Sequence, residues 1–387
     1  MANQIDSSRS LAFQVKAGNQ SPLQRDLSGQ DLYYVEARQM HLHQKEAITQ
    51  EGEGGSIWRL PSDEGLHLHG TDLAPFPLGF FNAGLQGDLI HTLVTLALQQ
   101  AIDLHEIRVE LSNHYWLTGS FVMGTGQGHV EPTKIQVNII SSAPAEQIQQ
   151  LVQQAMMASP AMNYLRSAMH QNTFAIYING RRRPVVGVQE CPGPDAIDPF
   201  IAHTNAPEAM TSELNQLIQK LMTKEDGQIK AASASVDGRL IRNVLGHGVW
   251  RAGQDYAQME TWLEMPGTTH FAYRSAVGSK GNAPSALALL SSGIAFCYMT
   301  QLSRYIENMK MDIHGIRLVQ MSPYEISQGC GHSMPIQTHL FLNGDAPEAT
   351  HTQLLEIAAH TCYLHVTAAT AHEPILDVVI NPKNELS

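Results

Sequence analysis

Residues 283–299 read APSALALLSSGIAFCYM, and the fold turns on how this stretch is placed. Apolar residues fall on every side of a helical wheel, which predicts a helix enclosed by protein rather than one with a solvent face. The apolar run is shorter than the roughly 20 residues a bilayer span needs. Its one thiol, Cys297, would ordinarily be a small inert hydrophobe. A related stretch earlier in the chain changes that reading. Residues 74–100, APFPLGFFNAGLQGDLIHTLVTLALQQ, also open at prolines and then run on without one, as a helix with a proline-marked N-terminus does.

The surroundings of the two stretches repeat. Short runs over 32–68, among them LYYVEARQMHLH and GSIWRLP, predict a β-meander before the first helix. Strand patterns follow at 106–122 and 134–140, then a helix opened by Pro144 and another opened by Ser159-Pro160. A hairpin around Asn179-Gly180 closes the set. The same order recurs from residue 228: strand patterns, the apolar helix, more strands, a helix opened by Pro347 and a closing strand at 375–380. DLHEIRV at Asp103 answers DIHGIRL at Asp312, and Pro75 answers Pro284, at one offset (312 − 103 = 284 − 75 = 209). Two anchors at one offset indicate a duplicated domain.

In that register Asp88 stands where the second half has Cys297. Aligning Pro144 with Pro347 puts Ser159 opposite Cys362, at an offset of 203, so a small insertion lies between. The expected organisation is an irregular lead-in over 1–30, a first domain over 31–189, a Pro-rich linker over 190–227 and a second domain over 228–387. The linker is expected to hold a helix capped by Thr211 or Ser212 and carrying Leu214, Leu217, Ile218 and Leu221.

The chain has 387 residues, 43% of them hydrophobic, enough for two or three packed domains. Its 24 basic and 36 acidic residues give a formal charge of −12, which argues against nucleic acid or an anionic membrane as the main partner. The N-terminal MANQIDSSRS lacks the pattern of a targeting segment, so a cytoplasmic protein is expected. Four cysteines in so long a chain do not make a disulfide scaffold, and a cysteine pair here points to redox chemistry.

This pattern resembles the OsmC/Ohr family of osmotically inducible and organic-hydroperoxide-resistance proteins. APSALALLSSGIAFC matches that family's central cysteine helix, AAHTCYLHVTAA its second-cysteine region, and APFPLGFFNAGLQGD keeps the helix opening but ends in Asp88. The resemblance implies an α+β fold of two tandem OsmC-like domains forming a pseudo-dimer within one chain, with a single thiol site. It implies a thiol-dependent peroxide reductase in which Cys297 attacks the peroxide and Cys362 resolves to a disulfide. Its partners would be a small-molecule peroxide and a thiol reductant, with no cofactor. An arginine from the meander would activate the thiol, and Arg251 and Arg274 are the candidates. Where family members carry a glutamate nine or ten residues before the first cysteine, this chain has Ala288 and Leu287.

The alternative reading is a non-catalytic protein of the same fold, either a scaffold or a binder of a small apolar ligand. A third is divalent metal binding. His41 with His43 and His67 with His69 each place two imidazoles on one face if the segments are strands, a spacing that suits zinc. Cys362, if it begins a helix as Ser159 does, has backbone N–H groups facing its sulfur, with His360 and His365 close in sequence.

Overall fold

Two long helices, Pro77–Gln99 and Ala286–Met309, pack against each other at the centre of the molecule. The structure is a computed structural model. It describes residues 3–6, 9–16, 31–200 apart from 53, 122 and 169–171, then 203, 208–209, 217–221, 235–236 and 239–382 apart from 266–267 and 279–281. Pro77 opens the first helix, where its missing N–H costs nothing. Ser285 caps the second, accepting from the Ala288 N–H. The second helix extends past the apolar run to 24 residues, long and apolar enough by composition to cross a bilayer, yet 94% of its most apolar window is buried in protein.

The helices touch backbone to backbone at matched glycines. A Cβ on Gly84 would lie 2.8 Å from the Leu290 backbone, and one on Gly293 would lie 2.8 Å from the Phe81 nitrogen. Around this crossing Phe80 meets Phe296 edge-on at 5.4 Å. Each such ring, fully buried, contributes about 1.5–3 kcal/mol.

The strands are β1 (Phe13–Gln14), β2 (Asp31–Gln39), β3 (Lys45–Glu51), β4 (Ile57–Ser62), β5 (Leu104–Thr118), β6 (Gln127–Val130), β7 (Lys134–Ser141), β8 (Thr173–Ile178) and β9 (Arg181–Arg183) in the first half. Then come β10 (Ile218–Lys220), β11 (Ser235–Val236), β12 (Arg239–Leu240), β13 (Arg242–Arg251), β14 (Tyr256–Leu263), β15 (Phe271–Ala276), β16 (Ile313–Ser327), β17 (Cys330–Ser333), β18 (Gln337–Gly344) and β19 (Ile375–Pro382). Among the described residues they form two large sheets and a two-stranded ribbon, which with six α-helices make a mixed α+β fold.

Each large sheet takes strands from both halves. One runs β1-β4-β3-β2-β16-β18-β8-β9, the other β10-β15-β14-β13-β5-β7-β19. The junctions match: β2 lies antiparallel to β16 as β13 does to β5, and β8 lies parallel to β18 as β19 does to β7. The second central helix therefore packs on the first half's meander, and the first helix on the second half's.

The repeat extends to element bounds. The central helices and the long strands β5 and β16 start 209 residues apart (286 − 77 = 313 − 104). The helices Ala145–Ala158 and Glu348–Thr361 start 203 apart (348 − 145). The difference lies between β5 and β6, where the first half has residues 119–126 and the second half only Gln328-Gly329.

Two expectations are corrected. Leu217 and Ile218 are not helical: Ile218–Lys220 is an edge strand paired with β15, an arrangement that buries Ile218 against that sheet. Thr211, Ser212 and Leu214 lie outside the described residues. Within the lead-in, Ile5 packs beside Met40 and Ala74, and Phe13–Gln14 pairs with β4, so those residues are not irregular surface.

Candidate active site

Cys297 sits midway along the second central helix, and Cys362 caps the C-terminus of Glu348–Thr361 and the N-terminus of Tyr363–Ala369. Ala358 and Cys362 share a backbone hydrogen bond, and Cys362 itself is extended (φ −73°, ψ 109°), so the chain turns there and aims the thiol at the central helix. The two thiols are hydrogen-bonded to each other and neither is in a disulfide. Both are buried, Cys297 at 3% exposure and Cys362 at 0%.

Their electrostatics differ. Burial alone pushes the Cys362 thiol up, but the Cys297 hydrogen bond, the His365 charge and the His365 ring and backbone N–H groups outweigh it and hold the thiol well below its ordinary value. His365 Nδ1 lies 3.3 Å from the sulfur. Burial pushes Cys297 up, and its bond to Cys362 pushes it further, with the Leu364 N–H working the other way. The pair therefore shares one negative charge, carried by Cys362, while Cys297 keeps its proton and donates it.

Lys45, Glu64 and Arg304 are the charged groups whose fields reach Cys297. Lys45 is fully buried on β3, its Nζ 2.7 Å from the His43 carbonyl and 3.7 Å from Glu64 Oε1. Glu64 in turn accepts from Thr300 Oγ1 at 2.6 Å, three residues past Cys297. Burial lowers the Lys45 ammonium, opposed by Glu64 and Asp63. On the other side Tyr115 stacks on Tyr363 at 5.2 Å, and the Arg304 guanidinium lies 4.5 Å from the Phe121 ring centre, within the first half's extra loop.

Arg251 and Arg274 are not placed here. Arg251 is largely exposed and pairs with Glu106 at 2.7 Å, and the Arg274 guanidinium lies over Tyr256 at 4.6 Å. The reason is the exchange of meanders: both arginines sit on β13 and β15, which cover the first central helix, whereas the cysteine helix is covered by β2 and β3. The cation next to the thiols comes from the first half and is a lysine. No periodicity marks Lys45 in HLHQKEAI, and only the sheet topology brings it in.

The first half's matched pair, Asp88 and Ser159, is also joined. Ser159 Oγ donates to Asp88 Oδ2 at 2.5 Å, and the Ala161 N–H donates to the same oxygen at 3.1 Å. Burial pushes the Asp88 carboxyl up, against these two donors.

The histidine expectation is corrected. His41 and His43 lie in the turn between β2 and β3, with Leu42 at φ 52°, and His67 and His69 lie at a 3₁₀ turn, with His69 at φ 61°. The left-handed residues break the strand alternation, so each pair diverges: His43 is buried while His41 and His69 are exposed. Among the described residues no three His, Cys, Asp or Glu side chains are grouped to hold a metal ion.

No protein-family model and no curated protein matches the chain. Among solved structures, an OsmC-like hydroperoxide resistance protein from Jannaschia sp. CCS1 is similar at 19% identity, over 33% of this chain and 86% of that one, with a TM-score of 0.20. The functional reading therefore rests on the geometry of the site.

Proposed function

We propose that this chain is a fused tandem of two OsmC-like domains, an internal pseudo-dimer in which the second half keeps a working dithiol and the first half is its scaffold. The reaction is peroxide reduction. The observation that carries the reading is the hydrogen-bonded Cys297–Cys362 pair with its charge held on one sulfur beside His365. The Cys362 thiolate attacks a peroxide: an S–O bond forms, the O–O bond breaks, and the leaving alkoxide or hydroxide takes up a proton. Sulfur is oxidised to sulfenic acid and the peroxide is reduced. The Cys297 sulfur then displaces hydroxide from the sulfenic acid, which leaves as water with the Cys297 proton, and a disulfide remains. Two equivalents of an external thiol reduce it, which suits a reducing compartment such as the cytoplasm. These roles are the reverse of those the family resemblance implies, because the lowered thiol is Cys362.

The test is to treat reduced wild type, Cys297→Ser and Cys362→Ser with stoichiometric hydrogen peroxide and with an organic hydroperoxide, then map oxidised cysteines by mass spectrometry. Expected are a Cys297–Cys362 disulfide in wild type, sulfenic acid on Cys362 in Cys297→Ser, and slow reaction in Cys362→Ser. Sulfenic acid on Cys297 in the last variant would reverse the roles. If neither sulfur outpaces a free thiol, the peroxidase reading fails. The depth of both sulfurs would then favour the second reading, a non-catalytic scaffold or apolar-ligand binder.

A further inference from the structure

The histidine run at Met40–His43 has no part in the thiol site, yet His43 is neither idle nor a metal ligand. Its Nδ1 lies 3.0 Å from Ser303 Oγ and its Nε2 lies 3.4 Å from Glu307 Oε2. Ser303 and Glu307 are one turn apart on the second central helix, so both reach the same side of it. All three residues line a pocket of about 430 Å³, whose wall also includes Met40, Leu42 and Ile306.

We propose that Ser303, His43 and Glu307 form a second, independent site that transfers acyl groups from small neutral esters to water, with Ser303 as nucleophile and His43 as its base. Glu307 is a positioning residue. Its carboxylate accepts the Nε2–H, which leaves the Nδ1 lone pair toward the serine hydroxyl, the tautomer a general base needs. Burial, with Lys45, Arg304 and His69 adding to it, lowers His43 to about 4, so the ring is unprotonated near neutral pH. The Ser303 hydroxyl also lies 3.1 Å from the Thr300 carbonyl, which holds the side chain beside the ring. The apolar wall suits a short acyl chain, and the Glu307 carboxylate, 58% exposed at the rim, repels anionic esters.

The steps balance. His43 takes the Ser303 proton as Oγ bonds to the ester carbon, and the ester C–O bond breaks as the alkoxide collects that proton and leaves as alcohol. Water then adds by the same route, releasing the carboxylic acid and restoring Ser303.

The test uses the intact chain with a fluorophosphonate probe and with p-nitrophenyl acetate. The adduct should map to Ser303 and form at least about tenfold faster in wild type than in Glu307→Gln, a change at an exposed side chain that leaves the fold intact. Ser303→Ala should lose the ester hydrolysis. An adduct elsewhere, no adduct, an adduct rate unchanged in Glu307→Gln, or hydrolysis retained in Ser303→Ala would each overturn the proposal. None of these outcomes depends on the cysteine pair.

Discussion

Ser159 donates its hydroxyl proton to Asp88 at 2.5 Å across the same helix junction that joins Cys362 to Cys297. The backbone agrees: Ser159 has φ −79° and ψ 117°, Cys362 φ −73° and ψ 109°. The N–H two residues on, Ala161 or Leu364, donates to the central-helix side chain, and the N–H three residues on, Met162 or His365, donates to the junction side chain. The first half therefore holds a dithiol's geometry without its sulfurs. The double substitution Asp88→Cys with Ser159→Cys should install a second disulfide that closes under mild oxidation. Mapping the bonds by mass spectrometry checks this, and a free second pair beside a closed Cys297–Cys362 bond would refute the equivalence.

Asp88 also makes stability depend on pH. Its folded pKa is raised by burial, so any cost is absent below the ordinary carboxylate value and grows as pH rises from there toward the folded value. Asp88→Asn keeps an oxygen for Ser159 and Ala161 and removes the titration. Its melting temperature should match wild type near pH 4 and exceed it at pH 7. An equal difference at both values would refute the assignment.

His365 should set the thiolate's pH range. The folded Cys362 pKa is depressed, so its contribution to stability is present above the ordinary thiol value of about 8.5 and is lost as pH falls through the lower folded value. His365→Gln removes the ring at 3.3 Å and narrows that window. Each unit of upward shift should slow alkylation of Cys362 near pH 6 about tenfold. The readout is the pH profile of iodoacetamide labelling at Cys362, followed by peptide mass spectrometry.

Lys45 and Glu64 are a buried pair, and breaking it from one side strands a charge. Lys45→Met should destabilise by about 3–5 kcal/mol, and adding Glu64→Gln should recover much of that. Urea unfolding of the two variants, reduced throughout, measures the recovery; equal losses in both would show that the pair is not coupled.

The helix crossing tolerates no Cβ. Gly84→Ala would press on the Leu290 backbone, and Gly293→Ala on the Phe81 nitrogen, so neither neighbour relaxes by rotating a side chain. Each should cost about 1–3 kcal/mol or more, from overpacking. Thermal unfolding reads it directly, and an unchanged melting temperature would mean that the helices do not cross where these glycines meet.

Much of the fold was legible in the chain itself. The all-round apolar character of residues 283–299, the proline-marked helix starts and the offset of 209 residues depend on local chemistry and on repetition, both of which a linear string carries. They placed Cys297 opposite Asp88 and Cys362 opposite Ser159, and Ser159 caps its helix as its position before Pro160 predicts. The failures were of another kind. The histidine pairs diverge because Leu42 and His69 adopt left-handed backbone, which an HxH spacing does not reveal. Arg251 and Arg274 were sought in the wrong meander because strand pairing between halves is a long-range choice. By itself the sequence determined the elements, their order and the matched residue pairs, since these follow from propensity, capping and periodicity. Only the tertiary structure decided which sheet covers which helix, and with it that Lys45 lies beside Cys297 and that His43 meets Ser303, because those contacts join residues more than two hundred positions apart.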